Sequence, residues 1–238
     1  MIPKIIYQTW KTQNLPPQVK KIQSKMMKIN PGYDHSIYTD SQMEDFISSN
    51  FDKEIKETFF RINHIVSRAD FWRYLILYKN GGVYLDIDSE IVKPLDQMIS
   101  EEDKGIMTAE KNKDLYVQWA LAFEKGHPIL EATINKIIEN INSGLYKNDV
   151  HSLTVKPYSY ALEKITQKYS LNINWDDIKE NTNNLYEFGE SNLRIFGIDY
   201  MGFINFKHKH NHTLRYRKKG VQTDPHWTIT EKDSDIYT

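Results

Sequence analysis

The segment from Ile65 to Lys79 restricts the fold more than any other part of the chain. Its apolar and aromatic residues fall on nearly all sides of a helix, so this helix must be largely buried. Gly81-Gly82 ends it, as glycine does in left-handed C-terminal caps. Val83 to Leu85 then predicts a short central strand that runs directly into Asp86-Ile87-Asp88, and Pro94 soon ends extended pairing. The sequence therefore places two carboxylates at the carboxyl end of an inner strand.

The chain opens with alternating strand and helix signals. Lys4 to Tyr7 predicts a strand, and Gln18 to Ile29 predicts a helix because its apolar residues recur at helical spacing. His35 to Tyr38 predicts a second strand, and Ser41 followed by Glu44 marks a helix start. Further strands are predicted at 106–109 and 119–123, and further helices at 129–141 and 157–169. This alternation favours a mostly parallel sheet covered by helices, with ligands outside the carboxyl ends of its strands.

Length and composition favour one compact enzyme. The 238 residues, 39% of them hydrophobic, can bury a core as a single domain, and the weak periodicity after Asn172 predicts irregular segments that fold back over the sheet. The net charge of −1 gives no electrostatic reason to expect nucleic acid as a partner. The absence of cysteine excludes disulfides, thiolate metal sites and a cysteine nucleophile.

Localisation is predicted from what the sequence lacks. The N-terminus has no signal-peptide pattern, and no stretch approaches the roughly 18 apolar residues of a membrane span. We therefore expect a cytoplasmic protein without a transmembrane segment. Work on lipid-linked sugars would require a peripheral approach to a membrane.

Asp86 and Asp88 are the candidate metal ligands. Two carboxylates one residue apart point to opposite faces of a regular strand, so a joint site requires the chain to leave β geometry there. Mg²⁺ and Mn²⁺ are typically held by one or two carboxylates together with substrate phosphate oxygens. The triplet alone is weak evidence, because ordinary turns often contain it.

Asp70 and Arg73 are charged residues in the otherwise apolar helix. They lie three positions apart, hence on one helix face, and buried charges require partners. One interpretation is an internal ion pair that only pins the helix. The other is that both side chains face the cleft and hydrogen-bond sugar hydroxyls.

These motifs together resemble a known family. The runs Ser67 to Tyr74, Gly81 to Asp88 and Lys93 to Asp96 resemble the DXD glycosyltransferases of family 32, which include the yeast initiating mannosyltransferase of the Golgi outer chain and, more distantly, the clostridial glucosylating toxins. The opening Ile2 to Trp10 is similar to the family's first strand, with Tyr7 where a histidine is usual. The resemblance implies an α/β protein with the GT-A type glycosyltransferase fold, a Rossmann-like mixed sheet flanked by helices.

The resemblance also implies an organisation and an activity. A single domain would cover residues 1–238, with its nucleotide-sugar part at about 1–110 and its acceptor side at about 111–238. The implied activity is metal-dependent, retaining transfer of a hexose from a UDP- or GDP-sugar to a hydroxyl of a glycan, lipid-linked or protein acceptor. Mn²⁺, or Mg²⁺, is the implied cofactor.

Site roles follow from the same resemblance, position by position. Trp10 would stack on the donor base, although core packing would also explain an aromatic there. Asp88 would ligate the metal directly, and Asp86 would touch the ribose, the sugar or the metal. The catalytic candidates are Asp70, Arg73, Asp86 and Asp88. The donor-binding candidates are Thr9, Trp10, Asp70, Arg73, Tyr84, Asp86, Gln118 and Trp227.

The chain departs from the family pattern at several positions. Gln118 replaces an asparagine that precedes the landmark Gly126-His127-Pro128, and Lys156-Pro157 replaces a Gly-Pro pair. Relatives often end with a His and a Ser-Trp pair that complete the metal and phosphate site, whereas this chain has Asp224 to Trp227. Either Asp224 or His226 could replace the usual contact, and His226 is the third candidate metal ligand. His208, His210 and His212 alternate, so a strand would give them one face, either for metal or for solvent. The basic run 215–219 predicts either a diphosphate contact or a solvated loop.

Two other functions stay open at this point. A phosphatase of the haloacid dehalogenase type also uses two aspartates one residue apart, but it normally has Thr or Val where this chain has Glu90, and its motif lies near the first strand. A carbohydrate-binding protein that keeps the fold without turnover is compatible with the changes at Gln118 and Lys156.

Overall fold

The computed structural model describes residues 1–91, 93–110, 115–178, 182–197 and 235–238, and the backbone of 206–208. The strands are β1 (Ile5–Thr9), β2 (Asp34–Tyr38), β3 (Gly82–Leu85), β4 (Ser89–Ile91), β5 (Gly105–Thr108), β6 (Ala120–Phe123), β7 (Asn183–Phe188), β8 (Ser191–Phe196) and β9 (Phe206–His208). The helices are α1 (Pro17–Ile29), α2 (Asp40–Asn50), α3 (Lys53–Arg61), α4 (Ile65–Asn80), α5 (Pro128–Asn142) and α6 (Lys156–Tyr169).

The main sheet is mixed. Its seven strands lie in the order β2-β1-β3-β6-β5-β8-β7, while β4 and β9 form a separate antiparallel pair. Strand β1 is parallel to both β2 and β3, whereas β6 is antiparallel to both β3 and β5. The mostly parallel sheet expected from the βαβα opening is therefore wrong, because only three of the six strand pairs in the main sheet are parallel, namely β1–β2, β1–β3 and β5–β8. The described residues between β5 and β6 contain no helix, and parallel neighbours require a crossover connection.

Helix α4 lies at the centre of the larger apolar core. Ser67 and every residue from Asp70 to Leu77 are buried, as the apolar pattern predicts. Gly81 ends the helix with a φ of 69°, and its N–H donates to the Leu77 carbonyl at 2.7 Å. The chain can then enter β3 at once, beside β1. This short connection places the end of β3 close to the polar face of α4.

Three features of the fold depart from the sequence predictions. The capping box of α2 is Thr39 with Gln42, because this pair satisfies the same rule two residues earlier than Ser41 and Glu44. Helix α3 is not predicted. Strands β7 and β8 form a hairpin at the edge of the sheet, where irregular segments are expected, since pairing with β5 rather than local alternation determines them.

Within the described ranges, no helix is both long enough and apolar enough to cross a membrane.

Candidate functional site

The Asp86-Ile87-Asp88 triplet lies on a tight turn directly after β3. The Ser89 N–H donates to the Asp86 carbonyl at 2.9 Å, and the Asp86 N–H donates to the Trp119 carbonyl at 2.9 Å. Both aspartates are half-buried. The chain thus leaves β geometry at this point, as a joint carboxylate site requires.

The Asp86 carboxylate is held by two side chains. The Tyr84 hydroxyl donates to Asp86 Oδ1 at 2.9 Å, and Arg73 Nη2 lies 3.2 Å from the same oxygen. Burial, reinforced by the neighbouring Asp86 charge, raises the pKa of the Tyr84 phenol, so this hydroxyl stays protonated and donates. Gln8 Nε2 donates to the Asp86 carbonyl at 3.1 Å. The side chain and the backbone of Asp86 are therefore both fixed.

Arg73 also pairs with Asp70 within α4. Arg73 Nη2 lies 2.6 Å from Asp70 Oδ1, and both residues are buried. Burial alone would lower the pKa of the guanidinium, but the carboxylates of Asp70 and Asp86 raise it above its ordinary value. Arg73 consequently stays cationic between two carboxylates. The two interpretations of this pair are thus not exclusive, because the internal ion pair also reaches the aspartate at the strand end.

Gln118 joins the cluster from the start of β6. Arg73 Nη1 donates to the Gln118 carbonyl at 3.2 Å, and Gln118 Nε2 donates to the Val155 carbonyl at 2.7 Å. Gln118 Oε1 and Arg73 Nε are buried and have no hydrogen-bond partner in the described part of the molecule. Such unpaired buried atoms are rare in proteins and call for an explanation.

Thr154 and Gln8 are site residues that the sequence analysis missed. Thr154 Oγ1 donates to Asp70 Oδ2 at 2.9 Å from a π-helical turn, His151–Val155, that leads into α6. Nothing in the residue pattern marks such a turn. Gln8 is completely buried on β1 directly after Ile5 to Tyr7, and an amide at the end of such a run is a signal that could have identified it.

The other predicted donor contacts lie at the edge of this cluster. Thr9 is the last residue of β1 and Trp10 follows it. Both are half-buried, and the Trp10 N–H donates to the Tyr38 carbonyl at 3.0 Å. Thr9 hydrogen-bonds the Tyr84 side chain. The stacking role of Trp10 stays a prediction.

Several predicted residues lie outside the described residues. These are Asp224, His226, Trp227, His210, His212 and the basic run 215–219. Of His208, the backbone is described, and it pairs with Ser89 of β4.

His127 of the Gly-His-Pro landmark has a structural role. It is fully buried and caps α5, where its Nδ1 accepts from the Ile129 N–H at 3.2 Å. Its Nε2 lies 3.0 Å from the Asn192 carbonyl and must therefore carry the proton. Burial lowers the pKa of His127 to about 4. The imidazole is neutral and serves as a cap.

The carboxylates of the turn suit a hard divalent cation. No cluster of three or more His, Asp or Glu side chains suited to a metal occurs among the described residues. Asp86 and Asp88 instead offer two carboxylates on one half-exposed turn. Mg²⁺ and Mn²⁺ commonly bind to such a pair and take their remaining ligands from substrate phosphate and water.

Comparison with known proteins identifies related sequences. Residues 16–104 match the family model described as a glycosyltransferase sugar-binding region containing a DXD motif. The chain is 32% identical over 136 residues to inositol phosphoceramide mannosyltransferase 3 of Schizosaccharomyces pombe, which covers 57% of this chain and 37% of that protein. It is 30% identical to the initiation-specific alpha-1,6-mannosyltransferase of Candida albicans, over 58% of this chain and 43% of that protein. The chain thus spans about two fifths of the length of these relatives.

For a viral relative and a solved structure, the alignment with this chain covers a larger share of the other protein. An uncharacterized glycosyltransferase of Acanthamoeba polyphaga mimivirus is 27% identical, with 75% of this chain and 70% of that protein covered. The structure named PaToxG Glycosyltransferase aligns with a TM-score of 0.57 at 21% identity, over 71% of this chain and 70% of the other. This structural likeness confirms the predicted GT-A fold.

Proposed function

We propose that the protein transfers a hexose from a nucleoside diphosphate sugar to a hydroxyl acceptor, because residues 16–104 match a family model described as a glycosyltransferase sugar-binding region containing a DXD motif. The reaction depends on Mn²⁺ or Mg²⁺ and retains the configuration at the anomeric carbon. Mannose is the first sugar to test, because two relatives are named mannosyltransferases.

The observation that carries this proposal is the connection between the helix charges and the aspartate turn. Arg73 contacts Asp70 at 2.6 Å and Asp86 at 3.2 Å, so a single guanidinium orients one carboxylate on α4 and another at the end of β3. Both contacts are made by Nη2 of the planar guanidinium, and this rigid group holds its partners more firmly than a flexible lysine ammonium could. This arrangement supports a preorganised polar site rather than a helix pin alone.

The proposed roles follow from these contacts. Asp86 and Asp88 hold the cation, which when bound neutralises charge on the leaving diphosphate. Asp70 and Arg73 bind hydroxyls of the donor sugar and fix its orientation. Trp10 and Thr9 contact the base side of the donor. Gln118, whose Oε1 is buried and has no hydrogen-bond partner in the described part of the chain, is a further donor contact.

The proposed transfer uses the front face of the sugar. The acceptor oxygen bonds to the anomeric carbon as the bond from that carbon to the phosphate oxygen breaks, and the acceptor proton passes to the departing phosphate. A covalent intermediate would require a carboxylate directly beneath the anomeric carbon. None is assigned to that role here, so a trapped glycosyl-enzyme adduct would contradict the proposal.

The decisive experiment measures release of GDP or UDP from a panel of nucleotide sugars with Mn²⁺ present. We expect the wild type to cleave one donor and Asp88→Ala to lower that rate by about 100-fold or more, since a metal ligand matters at least as much as its outer-shell partners. Asp96→Ala is the matched control. Asp96 is an exposed aspartate paired with Lys4, so its loss leaves turnover unchanged.

Each outcome distinguishes the alternatives. Cleavage of one donor that Asp88→Ala abolishes supports the transferase and identifies the sugar. If the wild type binds a nucleotide sugar with Mn²⁺ but cleaves none, with or without sugar acceptors, turnover is excluded and a binding role on the same fold replaces it.

A further inference from the structure

The π-helical turn before α6 contacts the candidate site at two points. The Thr154 hydroxyl donates to Asp70 Oδ2 at 2.9 Å and shares its proton with the Val150 carbonyl at 3.0 Å. The carbonyl of the next residue, Val155, accepts from Gln118 Nε2 at 2.7 Å. Single π-helical turns are rare and often occur at functional sites. Here the turn directs a side chain and a neighbouring carbonyl to two different residues of the site.

These contacts close a ring of polar groups. Asp70 binds Arg73 through Oδ1 and Thr154 through Oδ2, so both carboxylate oxygens are engaged. Arg73 binds the Gln118 carbonyl, and the Gln118 side chain returns to the turn at Val155. Since the ring is buried, the loss of one member leaves another with an uncompensated polar group.

The turn itself is fixed from two sides. The Tyr74 hydroxyl of α4 donates to the Thr154 carbonyl at 3.3 Å, and Asn140 Nδ2 of α5 donates to the Ser152 carbonyl at 3.4 Å. Thr154 is completely buried. Its hydroxyl thus occupies a defined position relative to α4.

We propose that Thr154 is a positioning residue for the donor sugar. Its hydroxyl holds the Asp70 carboxylate in the orientation that binds sugar hydroxyls, and the Val155 carbonyl does the same for the Gln118 amide. The turn therefore couples α6 to sugar binding but not to binding of the nucleoside diphosphate. This inference rests on the proposed function.

The test compares two substitutions at one position. Thr154→Val removes the hydroxyl and keeps the branched shape, whereas Thr154→Ser keeps the hydroxyl. We expect Thr154→Val to lower kcat/KM for donor cleavage by about 10-fold or more, because a buried carboxylate loses a hydrogen bond. Thr154→Ser should stay within about 3-fold of the wild type, and inhibition by GDP or UDP alone should be unchanged in both variants.

Thr133→Val is the matched control. Thr133 is also fully buried, but its hydroxyl donates to the Ile129 carbonyl at 2.7 Å within α5 rather than to a residue of the ring. Its kcat/KM should equal that of the wild type, while thermal unfolding shows whether each variant folds.

Three results would overturn the inference, and they are distinguishable. If the wild type cleaves no donor, both the proposed function and this inference are wrong. If Thr154→Val cleaves the donor as well as the wild type does, the positioning role of Thr154 is wrong but the proposed function stands. An equal loss of nucleoside diphosphate binding and donor cleavage would show that Thr154 has a general structural role rather than a sugar-positioning role.

Discussion

Asp86 takes its orientation from residues on three separate elements. Tyr84 lies on β3, Arg73 on α4 and Gln8 on β1, and each contributes one polar contact to this aspartate. Tyr84 is almost completely buried, and Arg73 lies over its ring at 4.9 Å. These contacts favour a positioning role for Tyr84, although the sequence predicts that it touches the donor.

Tyr84→Phe tests this role. The change removes one hydrogen bond to a carboxylate and keeps the ring, so we expect kcat/KM for donor cleavage to fall about 10-fold or more. Tyr158→Phe is the matched control, because the Tyr158 hydroxyl is buried without a hydrogen-bond partner in the described part of the chain. Equal kinetics in the two variants would show that the Tyr84 hydroxyl does not orient Asp86.

At the scale of elements, the junction between α4 and β3 determines where the aspartate turn lies. Gly82 has a φ of 114°, a backbone conformation that residues other than glycine rarely adopt. A Cβ atom there would lie 2.9 Å from both the Ile5 carbonyl oxygen and Ile5 Cγ2. The missing side chain lets β3 approach β1 directly after the helix ends.

Gly82→Ala should therefore destabilise the protein by about 2 to 5 kcal/mol, through backbone strain and overpacking together. Gly32→Ala is the control, since a Cβ at Gly32 meets no atom within 4 Å, and its effect should stay within about 0.5 kcal/mol. Denaturant unfolding measures both. A Gly82→Ala variant as stable as the control would mean that β3 can shift away from β1.

At the scale of the whole molecule, buried polar residues join distant parts of the chain. His127 links the start of α5 to Asn192 on β8, 65 residues later. Tyr237 is completely buried near the C-terminus, and its hydroxyl donates to the Leu145 carbonyl at 2.6 Å. These contacts tie the edge hairpin to the start of α5, and residues 235–238 to the segment that follows α5.

His127 also gives the protein a pH-dependent stability. Its pKa is lowered to about 4 by burial, against 6.5 in the unfolded chain, so between these values the unfolded state binds more protons. Stability from this group is fully present above pH 6.5 and is lost as the pH falls towards 4. Between pH 4 and 6.5, this group should make the free energy of unfolding rise with pH by up to about 1.4 kcal/mol per pH unit.

His127→Asn should flatten this slope while keeping a helix cap, because asparagine is a good N-cap residue. His35 is still present in the variant, and burial lowers its pKa as well, so some loss of stability at low pH remains. Urea unfolding at pH 4.5 and 6.5 measures the difference between wild type and variant. An equal pH dependence in both would show that His127 is protonated in the folded protein.

The sequence by itself determined the local features of this protein. Helix α4, its glycine cap, strand β3 and the departure from β geometry at Asp86 follow from periodicity, backbone conformation and side-chain chemistry within about 25 neighbouring residues. Asp70 and Arg73 share a helix face for the same reason. The motif resemblance added the GT-A fold, which no local pattern specifies.

The tertiary structure alone decided which distant residues complete the site. Thr154 is 84 residues from Asp70, Gln118 is 45 residues from Arg73, and Gln8 is 78 residues from Asp86. Such contacts leave no periodic trace in the sequence, because their energy is gained only when separate elements pack together. The β7–β8 hairpin escaped prediction for the same reason, since pairing of β8 with β5 supplies the stability that its local pattern lacks.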